Sequence, residues 1–143
     1  MDAGAAPAPA STDAEPPVLA RLRAALGADA VDVDPREREY HGHDLFGPLA
    51  VPAAVVRPAS VAALAEAVRL AGESRTPLTV RGGGASYTHG YVPRAPHALL
   101  LDTSRLTGLE IDVARRTVTV EAGVTWAALD AALARVGLRT PFW

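Results

Sequence analysis

Few residues of this 143-residue chain have types and spacing that could do chemistry, and the most suggestive run is Arg81-Gly82-Gly83-Gly84-Ala85-Ser86-Tyr87. It directly follows the short apolar stretch Leu78-Thr79-Val80. Three successive glycines weaken regular structure, since glycine loses the most backbone freedom on ordering. They are useful where the main chain must take positive φ or let another group approach closely. Successive N–H groups in such a turn can point into one hollow and hold an anion. Each charge-assisted hydrogen bond there is worth roughly 1.5–3 kcal/mol, so a few could hold a diphosphate without a lysine. A flexible turn is the other reading of the same residues. The run is not a P-loop, which needs a lysine and a hydroxyl residue after the last glycine. Nor is it the dinucleotide fingerprint, because Tyr87 stands where the third glycine belongs and residues 88–93 make a poor helix.

His41-Gly42-His43-Asp44 is the second candidate, with a spacing met in metal sites. Metal ligation needs several convergent ligands with supporting hydrogen bonds. His89 and His97 have no acidic or histidine partner at helical spacing, so the expectation is packed or solvated polar residues and no metal. No nucleophile elbow is present, which leaves hydrolase chemistry without support. The chain has no cysteine, so disulfides, thiol catalysis and thiolate metal sites are excluded, and a reducing cytoplasm suits it. The net charge is -2, with arginines scattered among acids, which gives no electrostatic footprint for nucleic acid. No apolar run approaches the roughly 18 residues a membrane helix needs.

These residues must be positioned by elements that the pattern of apolar positions suggests. Residues 1–17, rich in alanine and proline, read as a disordered tail. Residues 18–26 predict a helix with Val18, Leu19, Leu22, Ala25 and Leu26 on one face, stopped by Gly27. Residues 35–52 show no clean period and read as a surface meander. Residues 54–57 predict a buried strand, and Ser60 then caps a helix whose face is Val61, Leu64, Val68 and Ala71. Residues 78–81 predict a second strand, so this strand–helix–strand order argues for a crossover with parallel strands. Residues 98–101 make another strand, and residues 108–111 and 117–121 a hairpin. Thr125 opens a last helix with Trp126, Leu129, Leu133 and Val136 on its buried face. Glu66, Glu73 and Asp130 fall on solvent faces. The apolar end at Pro141-Phe142-Trp143 predicts a chain that continues beyond it.

In the order and spacing of these pieces the sequence resembles the FAD-binding domain of the vanillyl-alcohol oxidase and p-cresol methylhydroxylase superfamily, the PCMH-type fold. The residues that carry the likeness are Ala54-Val-Val-Arg-Pro58, Ser60-Val61 with its helix, Pro77-Leu-Thr-Val-Arg-Gly-Gly-Gly84, Leu101-Asp102-Thr103-Ser104-Arg105-Leu106 and Thr119-Val-Glu-Ala-Gly-Val-Thr-Trp126. The resemblance covers about residues 51–142. It implies an α/β (α+β) fold, the N-terminal βαβ-containing half of such a domain, with residues 18–50 as a lead-in and 51–143 as the incomplete domain. It implies that Arg81, Gly82, Gly83, Gly84, Ala85 and Ser86 surround the pyrophosphate of FAD and that Gly123 and Val124 lie near the flavin. Tyr87 is placed either to contact the cofactor or to pack, and Arg81 either to neutralise phosphate or to form a structural ion pair. Many relatives carry a histidine for covalent flavin attachment where this chain has Ala85, so attachment there is excluded and FAD is expected to be non-covalent at this position. The implied activity is hydride transfer from a small organic substrate to flavin. The catalytic base and the substrate domain are expected beyond Trp143. A non-catalytic fragment or a degenerate phosphate-binding module is the alternative.

Overall fold

The computed structural model describes residues 15–141. In chain order the elements are α1 (Pro17–Leu26), a 3-10 turn (Ala28–Ala30), β1 (Val31–Asp32), α2 (Pro35–His41), a hairpin of β2 (His43–Asp44) and β3 (Gly47–Pro48), β4 (Ala54–Val56), α3 (Val61–Glu73), β5 (Leu78–Arg81), β6 (Leu99–Asp102), a hairpin of β7 (Leu109–Asp112) and β8 (Thr117–Val120), and α4 (Trp126–Ala134). Most of the tail expected over residues 1–17 lies outside the described residues, but Pro17 already begins α1, where a proline needs no intrahelical donor. Among the described residues no helix is long and apolar enough to cross a membrane.

Four strands form one sheet in the order β1-β4-β6-β5. β4 and β5 both run parallel to β6, with Val55 and Thr79 flanking Leu100, while β1 is antiparallel to β4. The expected crossover is therefore present, but β4 and β5 do not touch as partners, because β6 lies between them. Leu99, Leu100, Leu101 and Asp102 are all buried, as a central strand covered on both faces requires. Ala54, Val56, Leu99 and Leu101 meet the helices through Val18, Leu19 and Leu22 of α1 and Ala67, Leu70 and Ala71 of α3. The alternate residues Val55 and Leu100 pack under Tyr91 and Val92, which follow the glycine run.

Three expectations are corrected. The face of α3 is met only in part: Ala71 is buried and Leu64 packs against the core, but Val61 is 59% and Val68 48% exposed, and Ala67 and Leu70 are buried in their place. On α4, Leu129 and Leu133 are buried as expected, but Trp126 is 73% and Val136 41% exposed. Residues 35–52 do not simply meander. Asp34 accepts hydrogen bonds from the amides of Arg36 (2.8 Å) and Glu37 (3.2 Å), and with Pro35 next to it starts α2. This helix shows few large apolar residues, so no period announced it.

A buried charge cluster ties these elements together. Asp102, almost wholly enclosed at the end of β6, lies 3.3 Å from Nε of Arg57 and 3.5 Å from Nε2 of His41. The same guanidinium donates to Asp32 of β1 (2.9 Å) and Glu37 of α2 (2.7 Å). Burial alone would lower the Arg57 pKa, yet these carboxylates raise it above its usual value. On the surface, Arg21 of α1 reaches Glu73 of α3 at 2.5 Å.

Asp44 performs a second anchoring task. Its enclosed carboxylate accepts from the amides of Phe46 (2.9 Å) and His89 (2.8 Å), and Nε2 of His89 lies 3.6 Å away. This holds the β2–β3 hairpin against the segment after the glycines and stabilises His89 at a φ of 53°, a region that side chains other than glycine seldom adopt.

Two outcomes are expected. Arg57→Met strands the Asp102 carboxylate and should cost about 3–5 kcal/mol, whereas Arg21→Met removes an exposed pair and should cost about 0–1 kcal/mol. Urea unfolding of both variants checks this, and equal small losses would overturn the reading of Asp102. Burial pushes the Asp44 carboxyl up, but the amide hydrogen bonds and the nearby imidazole outweigh it and hold its pKa below the usual value. A depressed folded pKa means that this stabilisation is present above the ordinary aspartate pKa of about 3.9 and lost as pH falls through the folded value. The stability gap between the wild-type protein and Asp44→Asn should therefore be constant near neutrality and narrow only below about pH 4.

Candidate functional site

Residues 82–86 leave the end of β5, and the turn of residues 103–106 leaves the end of β6. Both therefore stand at the carboxyl ends of parallel strands, where open α/β sheets bind ligands. The segment joining β8 to α4 makes the facing wall. Together they enclose a cleft of about 590 Å³ lined by Gly82, Gly83, Gly84, Ala85, Ser86, Tyr91, Ser104, Ala122, Gly123, Val124, Thr125 and Trp126. No lining residue carries a charge, so an anion entering the cleft meets no carboxylate.

The walls are fixed by backbone contacts. A Cβ on Gly123 would overlap the carbonyls of Thr103 and Leu106, and the Gly123 amide donates to the Leu106 carbonyl at 2.8 Å. Only glycine lets the facing wall lie so close to the turn after β6. The Thr103 amide donates to the Arg81 carbonyl (3.1 Å), and its hydroxyl sits 3.3 Å from the carbonyls of both Arg81 and Ala122. Thr103 thus joins the two walls. On the glycine side, Gly84 has a φ of 77°, and a side chain there would strike the guanidinium of Arg81. The Tyr91 hydroxyl lies 2.8 Å from the Gly84 carbonyl and 2.9 Å from that of His43, and can donate to one at a time.

The glycines divide the work. Gly84 alone of the three has positive φ, while a Cβ on Gly82 or Gly83 would meet nothing within 4 Å. Open space beside the main chain, not strain, is what those two glycines provide. Among the described residues, none accepts a hydrogen bond from the amides of residues 82–86. Gly82, Gly83 and Ala85 are exposed, so these free donors face solvent along the cleft, where an anion can take the place of water.

The structure brings together seven of the nine residues marked from the sequence: Gly82, Gly83, Gly84, Ala85, Ser86, Gly123 and Val124. Arg81 is not in the lining. Its guanidinium sits behind Gly84, 5.6 Å from the ring centre of Tyr91 and 5.8 Å from that of Tyr40. Among the described residues it has no ion pair, so the structural-pair alternative gives way to cation–π contact. Tyr87 is 67% exposed and outside the lining, so it does not pack. Tyr91, Ser104, Ala122, Thr125 and Trp126 complete the lining without having been marked. For Trp126 the signal was misread, because helical spacing with Leu129 and Leu133 placed it in the core. His41, His43 and Asp44 diverge: His41 joins the Arg57 cluster, Nδ1 of His43 lies 2.9 Å from the Glu39 carbonyl, and Asp44 holds the His89 amide.

Comparison with known proteins places this geometry. A family model described as FAD binding domain matches residues 52–143. The chain is 34% identical over 116 residues to a D-lactate dehydrogenase of Archaeoglobus fulgidus, covering 78% of this chain and 26% of that protein. It is 35% identical over 115 residues to an uncharacterised FAD-linked oxidoreductase of Mycobacterium tuberculosis, covering 80% and 24%. The chain thus spans about a quarter of the length of these curated relatives. Its fold is shared with alkyldihydroxyacetonephosphate synthase (TM-score 0.77, 20% identity, 85% of this chain and 27% of that one) and with p-cresol methylhydroxylase (TM-score 0.72, 21% identity, 85% and 24%). Since the family model spans residues 52–143 and with them every wall of the cleft, the chain belongs to the FAD binding domain family, and FAD is its cofactor.

Proposed function

We propose that residues 82–86 hold the diphosphate of FAD in an oxidoreductase that takes a hydride from a small organic substrate. The row of unpaired amides beside an uncharged cleft is the observation that carries this reading. When bound, FAD supplies the hydride acceptor; this chain supplies grip and orientation. The amides donate to the phosphate oxygens, the Ser86 hydroxyl braces the loop by accepting from the amides of Thr88 (3.2 Å) and Gly90 (3.4 Å), and Gly123 and Val124 form the wall on the flavin side. Arg81 contributes charge from behind Gly84 and does not need to touch a phosphate. A 2-hydroxy acid is the substrate class to test first, after the name of the archaeal relative. A cytoplasmic setting is proposed from the absence of cysteine.

Gly83→Val tests the grip. The space beside Gly83 is open, so the variant should fold normally but fill the room that phosphate needs. Losing one or two charge-assisted hydrogen bonds, each worth roughly 1.5–3 kcal/mol, should weaken FAD binding about tenfold or more. Glu73→Ala, on the far surface of α3, should leave it unchanged. Fluorescence titration with FAD decides between them, and equal affinities would remove the diphosphate from this loop.

The form of attachment is tested separately. Ala85 offers a methyl group that cannot bond to the isoalloxazine, and no cysteine is present. Acid precipitation of the FAD-loaded protein should release the yellow colour to the supernatant. Colour retained on a peptide containing His89 would contradict non-covalent binding.

A further inference from the structure

Trp126 is a large aromatic residue that the fold leaves mostly uncovered. The indole is 73% exposed although the next residues on its side of α4, Leu129 and Leu133, are buried. Among the described residues no ring pairs with it. Its backbone, by contrast, is firmly held. Gly123 three residues earlier is pressed against the turn after β6, and the Thr125 hydroxyl accepts from the Ala128 amide at 3.2 Å to start the helix. A rigid helix start therefore presents a large, unpacked aromatic face to the cleft. The other lining residues are glycine, alanine, serine, threonine and valine, apart from Tyr91. Tyr91 is buried and packs on Val55 and Leu100, so it cannot offer a ring face to a ligand. Trp126 is the one available π surface among the described lining residues.

We propose that Trp126 is a stacking platform for one of the two planar rings of FAD, and so a positioning residue for the cofactor. The inference rests on the reading of the cleft given above. Residues 82–86 hold the diphosphate in the middle of the molecule, and a ring extends from each side of it. A ring lying on the indole would remove from water the apolar face that the fold leaves open. The shared chemistry is a flat heteroaromatic ring, and the two sources, adenine and isoalloxazine, are separated by the choice of probe.

The test compares Trp126→Ala and Trp126→Phe with the unsubstituted protein, titrated calorimetrically with FAD, ADP and FMN. Trp126→Ala should weaken FAD binding about five- to hundredfold, the range set by aromatic stacking on a base. Trp126→Phe keeps a π face and should stay within about threefold. The loss should follow ADP if adenine is the ring, or FMN if isoalloxazine is. In the second case the bound flavin of Trp126→Ala should also fluoresce more brightly, because a contacting indole quenches it. Melting without FAD should be nearly the same in all three proteins, since the side chain is 73% exposed. FAD affinity unchanged in Trp126→Ala would overturn the inference and leave the diphosphate loop standing. A lowered ligand-free melting point in Trp126→Ala would assign the indole to packing and overturn it as well. Failure of the unsubstituted protein to bind FAD would remove the reading of the cleft itself.

Discussion

A carboxylate enclosed at the end of the central strand must have a cation, and much of this structure follows from how Asp102 obtains one. Breaking such a pair leaves an uncompensated buried charge. Arg57, at the end of the neighbouring strand β4, supplies the partner, and its remaining donors draw in Asp32 and Glu37. The short β1 and the helix α2 are thereby tied to the sheet at points where neither has much apolar surface to offer. The other oxygen of Asp102 accepts from the Ser104 amide at 2.9 Å. That bond shapes the turn whose carbonyls meet Gly123. One wall of the cleft thus depends on a carboxylate that never enters it.

The second determinant is a cation with no carboxylate partner among the described residues. The Arg81 guanidinium lies over the rings of Tyr40 and Tyr91, with Nε buried and without a hydrogen-bond partner among the described residues. An unbalanced guanidinium behind a cleft that has no charged lining biases its potential toward anions. Gly84 is needed for the same reason, since its missing side chain leaves the room that the guanidinium fills.

Much of the fold was legible where burial imposes a pattern. Leu99-Leu100-Leu101 is apolar without alternation because both faces are covered, and Ser60 and Thr125 cap their helices as their positions suggested. The glycine run was legible from its residue types as a loop that leaves its main chain open, whereas Gly123 and Val124 followed only from the family resemblance. What escaped has a common cause. α2 is held by a cap and by charge, not by apolar contacts, so periodicity could not see it. β1 is two residues long. Helical spacing identified the valines of α3 and Trp126 as apolar but could not say which neighbour they faced. For Trp126 the answer was the ligand cleft and not the core, a distinction of environment that residue type alone does not carry. Strand order was also hidden, because local sequence has no mark for a third strand that enters between two earlier ones.

That insertion has a consequence for how the protein is made. β6 is the last of the four strands to leave the ribosome, yet it is the one that both β4 and β5 must pair with. Until it arrives, the two earlier strands have no common partner and expose unpaired backbone edges. The closing contacts are distant in sequence, as in the 45-residue separation of Arg57 and Asp102, and such contacts form slowly. The Arg81 carbonyl is held by Thr103, which immediately follows β6. The glycine loop, although synthesised earlier, therefore takes its final shape only when its successor strand has slid into place.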